Sequence, residues 1–166
     1  TVWTTCQLFF QIVSLAGYSY AHFLAQRKTL RQQGWIHLGV ILCSGAALTV
    51  TSLWSGVPLL APEALRPSGA EFPIVLLLLI LTSTIGLPFF VLSSTGPLLQ
   101  HWHSHGVDSL DRTYRLYAIS NAGSFLGLMT YPFGVERVLD LEQQAGVWAG
   151  LFAEAAPKYH IPIVVS

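Results

Sequence analysis

Pro73-Ile74-Val75-Leu76-Leu77-Leu78-Leu79-Ile80-Leu81 runs, without an Asp, Glu, Lys or Arg, through Gly86-Leu87-Pro88-Phe89-Phe90-Val91-Leu92 and on to Trp102. About 20 apolar residues at 1.5 Å rise cross a bilayer core of about 30 Å, so this uncharged stretch reads as a transmembrane helix. Three more segments of comparable length flank it, over 2–24, 35–54 and 114–135, with the quoted run itself occupying 73–99. The chain therefore reads as all-α, a polytopic helical membrane protein of about four transmembrane helices. Residues 1–136 form the membrane domain, and 137–166 an interfacial or partly ordered tail with a short helical stretch around Val147.

Composition agrees. Charged residues make up 10 % of the chain and apolar ones 52 %, whereas a soluble domain carries about a quarter charged residues to face water. Eight basic and eight acidic residues cancel, which argues against the electropositive face that nucleic-acid binding needs. Cys6 and Cys43 sit in apolar segments with no CxxC or CxxH spacing, and so read as small hydrophobes. Numbering starts at Thr1 and the only methionine is Met129. Either a leading segment has been removed or the chain is a piece of a longer protein.

Lys and Arg are unevenly shared among the connectors. Arg27, Lys28 and Arg31 lie in the first, and Arg112 and Arg115 flank the third. Arg66 stands alone in the proline-rich second, which holds Pro58, Pro62 and Pro67, and Arg137 and Lys158 lie in the tail. The positive-inside tendency places the first and third connectors in the cytoplasm, with Trp3, Trp35, Trp54, Trp102 and Tyr114 as interfacial aromatics at segment edges.

Candidate chemistry is sparse. Pro88 in mid-span removes a backbone hydrogen bond, which lipid tolerates only where neighbouring groups satisfy the freed carbonyl; Thr82, Ser83 and Thr84 are placed for that. A broken helix lining a solute path and a packing kink both fit. Ser93, Ser94 and Thr95 add hydroxyls that serve either packing or binding. Asn121, the most polar side chain inside any span, should face protein or a wet cavity. Together, Pro88, Ser93, Ser94, Thr95 and Asn121 form a candidate intramembrane polar site, with Asn121 and the Gly86–Pro88 break on one internal surface. Gly123 and Gly127 form a GxxxG face suited to close helix packing. His101, His103 and His105 alternate, so an extended loop would put three imidazoles on one side as a weak metal candidate, closed by Asp108 or Asp111; a solvated polar loop is the other reading. His22 and Glu136 are the ionisable residues read near span ends. No phosphate-binding glycine loop, GxSxG elbow or intramembrane carboxylate pair is present, so no catalytic residue and no cofactor is implied.

Several stretches resemble the membrane part of the fused major-facilitator/spermidine-synthase-like proteins of bacteria. They are Cys6-Gln7-Leu8-Phe9-Phe10-Gln11, Leu15-Ala16-Gly17-Tyr18, Gly86 to Thr95, Pro97-Leu98-Leu99-Gln100, Leu116-Tyr117-Ala118-Ile119-Ser120-Asn121-Ala122-Gly123-Ser124 and Tyr131-Pro132-Phe133. The order holds across about residues 2–136; Val135-Glu136-Arg137 departs from the family's Val-Glu-Pro, and the histidine run is unusual. The resemblance implies part of a transporter-like bundle, multi-pass in a bacterial inner membrane. Such a module would bind or move a small polar or cationic solute, or anchor an enzyme. Its partners would be the lipid bilayer, other membrane helices and a soluble aminopropyltransferase-like domain, with no nucleic acid. One alternative is the membrane part of a polyamine aminopropyltransferase, whose catalytic half this chain does not include. Another is the permease subunit of an ABC-type transporter.

Overall fold

A computed structural model describes residues 2–56, 73–104 and 109–158, and every regular element among them is helical. Helix α1 (Val2–Arg27) is followed directly by α2 (Leu30–Ser55). The turn between them is set by Thr29-Leu30-Arg31-Gln32. The Thr29 hydroxyl accepts from the Gln32 backbone N–H (3.4 Å), and the Thr29 N–H donates to Gln32 Oε1 (3.3 Å). This reciprocal capping box satisfies two of the donors a helix start leaves open. It starts α2 about five residues before the apolar run at Trp35, so Gln33, expected in a connector, is helical. Gly56, at φ 77°, closes the other end in a conformation that costs glycine little.

Helix α3 (Pro73–Leu81) passes through a π-helical turn (Thr82–Gly86) into α4 (Leu87–His103). Pro88 accounts for the turn, since its ring excludes the ordinary bond to the Thr84 carbonyl. The three hydroxyls placed to relieve that carbonyl instead donate upstream, Thr82 to Leu78 O (2.7 Å), Ser83 to Ile80 O (3.1 Å) and Thr84 to Ile80 O (2.7 Å). After α5 (Ser109–Thr130) a second π-helical turn (Tyr131–Val135) carries Pro132, and α6 (Glu136–Val138) is a single short turn.

The described part of the tail is helical from Leu141. Asp140 Oδ1 accepts from the Gln143 N–H (2.8 Å) while Gln143 Oε1 accepts from the Asp140 N–H (3.1 Å). That cap starts α7 (Leu141–Lys158).

The bundle is organised around α4. Helix α1 runs parallel to it: Phe9 lies by Gly86, Gly17 by Ser93 and Ser94, and Ala21 and Leu24 by Leu98 and Trp102. Helix α2 runs antiparallel, with Gln33 at Trp102, His37 at Thr95, and Ile41 and Leu48 beside Val91. Helix α7 completes the second cluster with Phe152, whose ring stacks on Trp148 at 5.7 Å and 9°.

Three helices are long and apolar enough to cross a membrane: α1, α2 and the continuous α3–α4 run. Helix α5 does not meet that standard. Arg115, Ser120, Asn121 and Ser124 dilute its apolar content, and its described residues from Tyr117 to Thr130 are all exposed. Among the described residues α5 therefore does not pack on α4 beyond their junction.

Candidate functional site

The α1–α4 seam depends on one missing side chain. A Cβ built on Gly17 would overlap the Ser93 hydroxyl and stand 3.2 Å from both Ser93 Cβ and the Ser94 nitrogen. Small residues at such a crossing let backbones approach, which is the main source of helix affinity where lipid removes the hydrophobic drive. Among the described residues Gly123 and Gly127 do not play this part, because a Cβ on either meets nothing within 4 Å. Among the described residues the close glycine contact is at Gly17.

The seam also uses the hydroxyls of the candidate polar site. Ser93 and Ser94 both donate to Phe90 O (2.9 Å each), Ser94 is also 3.0 Å from Val91 O, and Thr95 donates to Val91 O (2.7 Å). These bonds run back along α4 itself. Pro88 and Ser94 are buried on the face that meets α1 and α2. Asn121 is exposed, so the structure does not bring it onto the buried surface of the helix break.

On the α2 side lies a polar cluster that the sequence reading did not identify. Gln33, His37, Ile41, Ser44 and Leu48 form the buried stripe of α2, at spacings of three and four residues. Trp102 Nε1 donates to Gln33 Oε1 (2.8 Å), and Gln33 Nε2 donates to Lys28 O (2.7 Å). His37 Nε2 is 3.1 Å from Thr95 Oγ1. The Thr95 hydrogen already goes to Val91 O, so the imidazole donates through Nε2. Aromatic rings flank His37, Tyr20 tilted at 5.8 Å and Trp102 edge-on at 6.4 Å between ring centroids. Trp102, expected at the interface, is thus a buried tie between α2 and α4. Tyr20 Oη and Ser44 Oγ are buried without a hydrogen-bond partner among the described residues. The cluster contains histidine but, among its described members, no carboxylate or thiol. Its hydrogen bonds fasten α2 to α4 and to the α1–α2 turn.

A cleft of about 650 Å³ opens between α1 and the α3–α4 kink, lined by Phe9, Ile12, Leu78, Thr82, Gly86 and Phe90 among others. Its walls are apolar, and the Thr82 hydroxyl is held by Leu78 O. Such a surface suits an aliphatic chain better than a cation.

The histidine run is helical as far as His103. Positions two apart on a helix point about 200° from one another, so His101 and His103 do not share a side as they would in a strand. His103 Nδ1 donates to Leu99 O (2.8 Å). Among the described residues no group of three His, Cys, Asp or Glu is placed to hold a metal. His105, Asp108, the Asp111 side chain, the proline-rich loop over 57–72 and tail residues 159–166 lie outside the described portion. Cys6 is half-buried and Cys43 exposed, both as free thiols.

Comparison with protein-family models, with curated proteins and with solved structures finds no match.

Proposed function

We propose that this chain is a multi-pass module of a bacterial inner membrane that anchors and assembles rather than conducts. In this reading it is the membrane part of a system like the spermidine-synthase-like fusion proteins, holding an aminopropyltransferase-like partner at the bilayer. The observation that carries it is the tight α1–α4 crossing at Gly17, with only an apolar cleft open beside it. Gly17 lies against Ser93 and Ser94, and the three hydroxyls best placed for a solute donate to their own helix. Among the described residues no polar path remains along that crossing. The α1–α2 turn and the end of α4 face the cytoplasm, and α5 is the fourth crossing, covered in the assembled protein by further membrane helices.

Cys43 provides the test, because it is exposed on mid-α2 and would face hydrocarbon. In a Cys6→Ser background the full chain should stay in the membrane pellet after alkaline carbonate. Cys43 should resist a water-soluble maleimide in sealed membranes and react once detergent-denatured. Release by carbonate, or labelling in sealed membranes, would overturn the membrane reading. Putrescine uptake above vector control would overturn anchoring in favour of transport.

A further inference from the structure

Where α4 hands over to α5, a small cleft of about 200 Å³ is lined by His103, Arg115, Leu116 and Ile119. Arg115, Leu116 and Ile119 fall at spacings of one and three residues and so share one face of α5. Two basic side chains therefore sit beside two aliphatic ones. The Arg115 guanidinium makes no hydrogen bond or ion pair with the described residues, although a planar fork of five donors is well matched to phosphate oxygens. His103 uses Nδ1–H on Leu99 O, which leaves Nε2 as its ligand-facing atom. Without a proton Nε2 accepts from a hydroxyl, and with one it donates to an oxyanion, so both forms suit a phosphoglycerol head.

We infer that this cleft binds one anionic phospholipid, its phosphate on Arg115, its headgroup hydroxyls at His103 and its acyl chain along Leu116 and Ile119. The inference rests on the membrane reading above, with the α4–α5 junction at the cytoplasmic surface, where anionic lipids attract juxtamembrane cations. Charge complementarity identifies an anion, and the aliphatic wall selects a lipid over free phosphate. Within the membrane module the site would fix the depth of α5, which the bundle itself leaves uncovered.

The test is native mass spectrometry of the full chain in detergent, with phosphatidylglycerol or phosphatidylcholine of equal chain length. Phosphatidylglycerol should be retained in preference. Arg115→Gln should reduce its retention about tenfold or more, the scale of a lost charged hydrogen bond. Arg137→Gln, which removes a similarly exposed arginine on α6, should leave retention unchanged, and excess inorganic phosphate should not displace the lipid. Equal retention of the two lipids, equal losses in the two arginine variants, or displacement by phosphate would each overturn the assignment. Flotation with phosphatidylcholine vesicles separates the two readings. A chain that floats but shows no lipid preference defeats this site alone, whereas a chain that does not float defeats the membrane reading as well.

Discussion

Helices α4 and α5 are neighbours in sequence and similar in length, at 17 and 22 residues, yet they have opposite surroundings. Helix α4 buries Pro88, Val91, Ser94, Leu98 and Trp102 along one stripe and is gripped from two sides. Helix α5 carries the more obvious packing motif and is exposed from Tyr117 to Thr130. A small-residue stripe permits close approach but does not supply the partner. Contact also needs a facing helix whose own bumps fit, as Ser93 and Ser94 fit Gly17.

The sharpest way to break this contrast is to fill the gap at Gly17. Gly17→Leu should cost about 3 kcal/mol, the upper end expected for overpacking a tight interior, and should lower the melting temperature of the detergent-solubilised chain markedly. A melting temperature unchanged from the parent would show that the α1–α4 seam is not what holds the bundle.

A smaller loss is expected at the other side of α4. Trp102→Phe keeps an aromatic ring but leaves Gln33 Oε1 without its donor, at a cost of about 1–2 kcal/mol. Trypsin should then cut faster at Arg27, Lys28 or Arg31, since the α1–α2 turn is tied to α4 through this bond. Unaltered cleavage would place the turn's stability in its capping box alone.

Least of all should happen on α5. Asn121→Leu and Gly123→Leu should each shift stability by less than about 0.5 kcal/mol in the isolated chain, as expected of exposed sites. Loss of fold on either change would mean that another helix covers α5, and the contrast would then describe an unfinished assembly.

Much of the fold could be read directly. The uncharged run after Pro73 marked α3 and α4, and the apolar stretches near Val2 and Trp35 marked α1 and α2, because length and lack of charge are local properties. Helix starts are equally local: the capping boxes at Thr29 and Asp140 extend α2 to Gln33 and set where the helix of the tail begins. The site was less legible. His37 stands alone in an apolar segment, and only Gln33, Ile41 and Ser44 at positions i−4, i+4 and i+7 from it hint that it faces inward. That Thr95 and Trp102 await it depends on how α2 is set against α4, which no single segment encodes. Asn121 and the GxxxG pair have no partner among the described residues for the same reason, since a motif states what a surface could accept and not what stands opposite.

The widened turn at Thr82–Gly86 bears on how α1 keeps company with α3 and α4 over their whole length. Ile74, Leu78, Thr82, Gly86 and Phe90 recur at every fourth position along the cleft wall. On a straight α-helix such a row slips about 40° around the axis at each step, so it would spiral away from a partner lying alongside. A turn closed over five residues takes up part of that slip and resets the helix phase midway. Removing one residue there would rotate everything downstream by about 100°, carrying Val91, Ser94, Leu98 and Trp102 out of register with both neighbours. The proline break is therefore a timing device in the helix's rotation, and the bundle beyond it is assembled on the beat it sets.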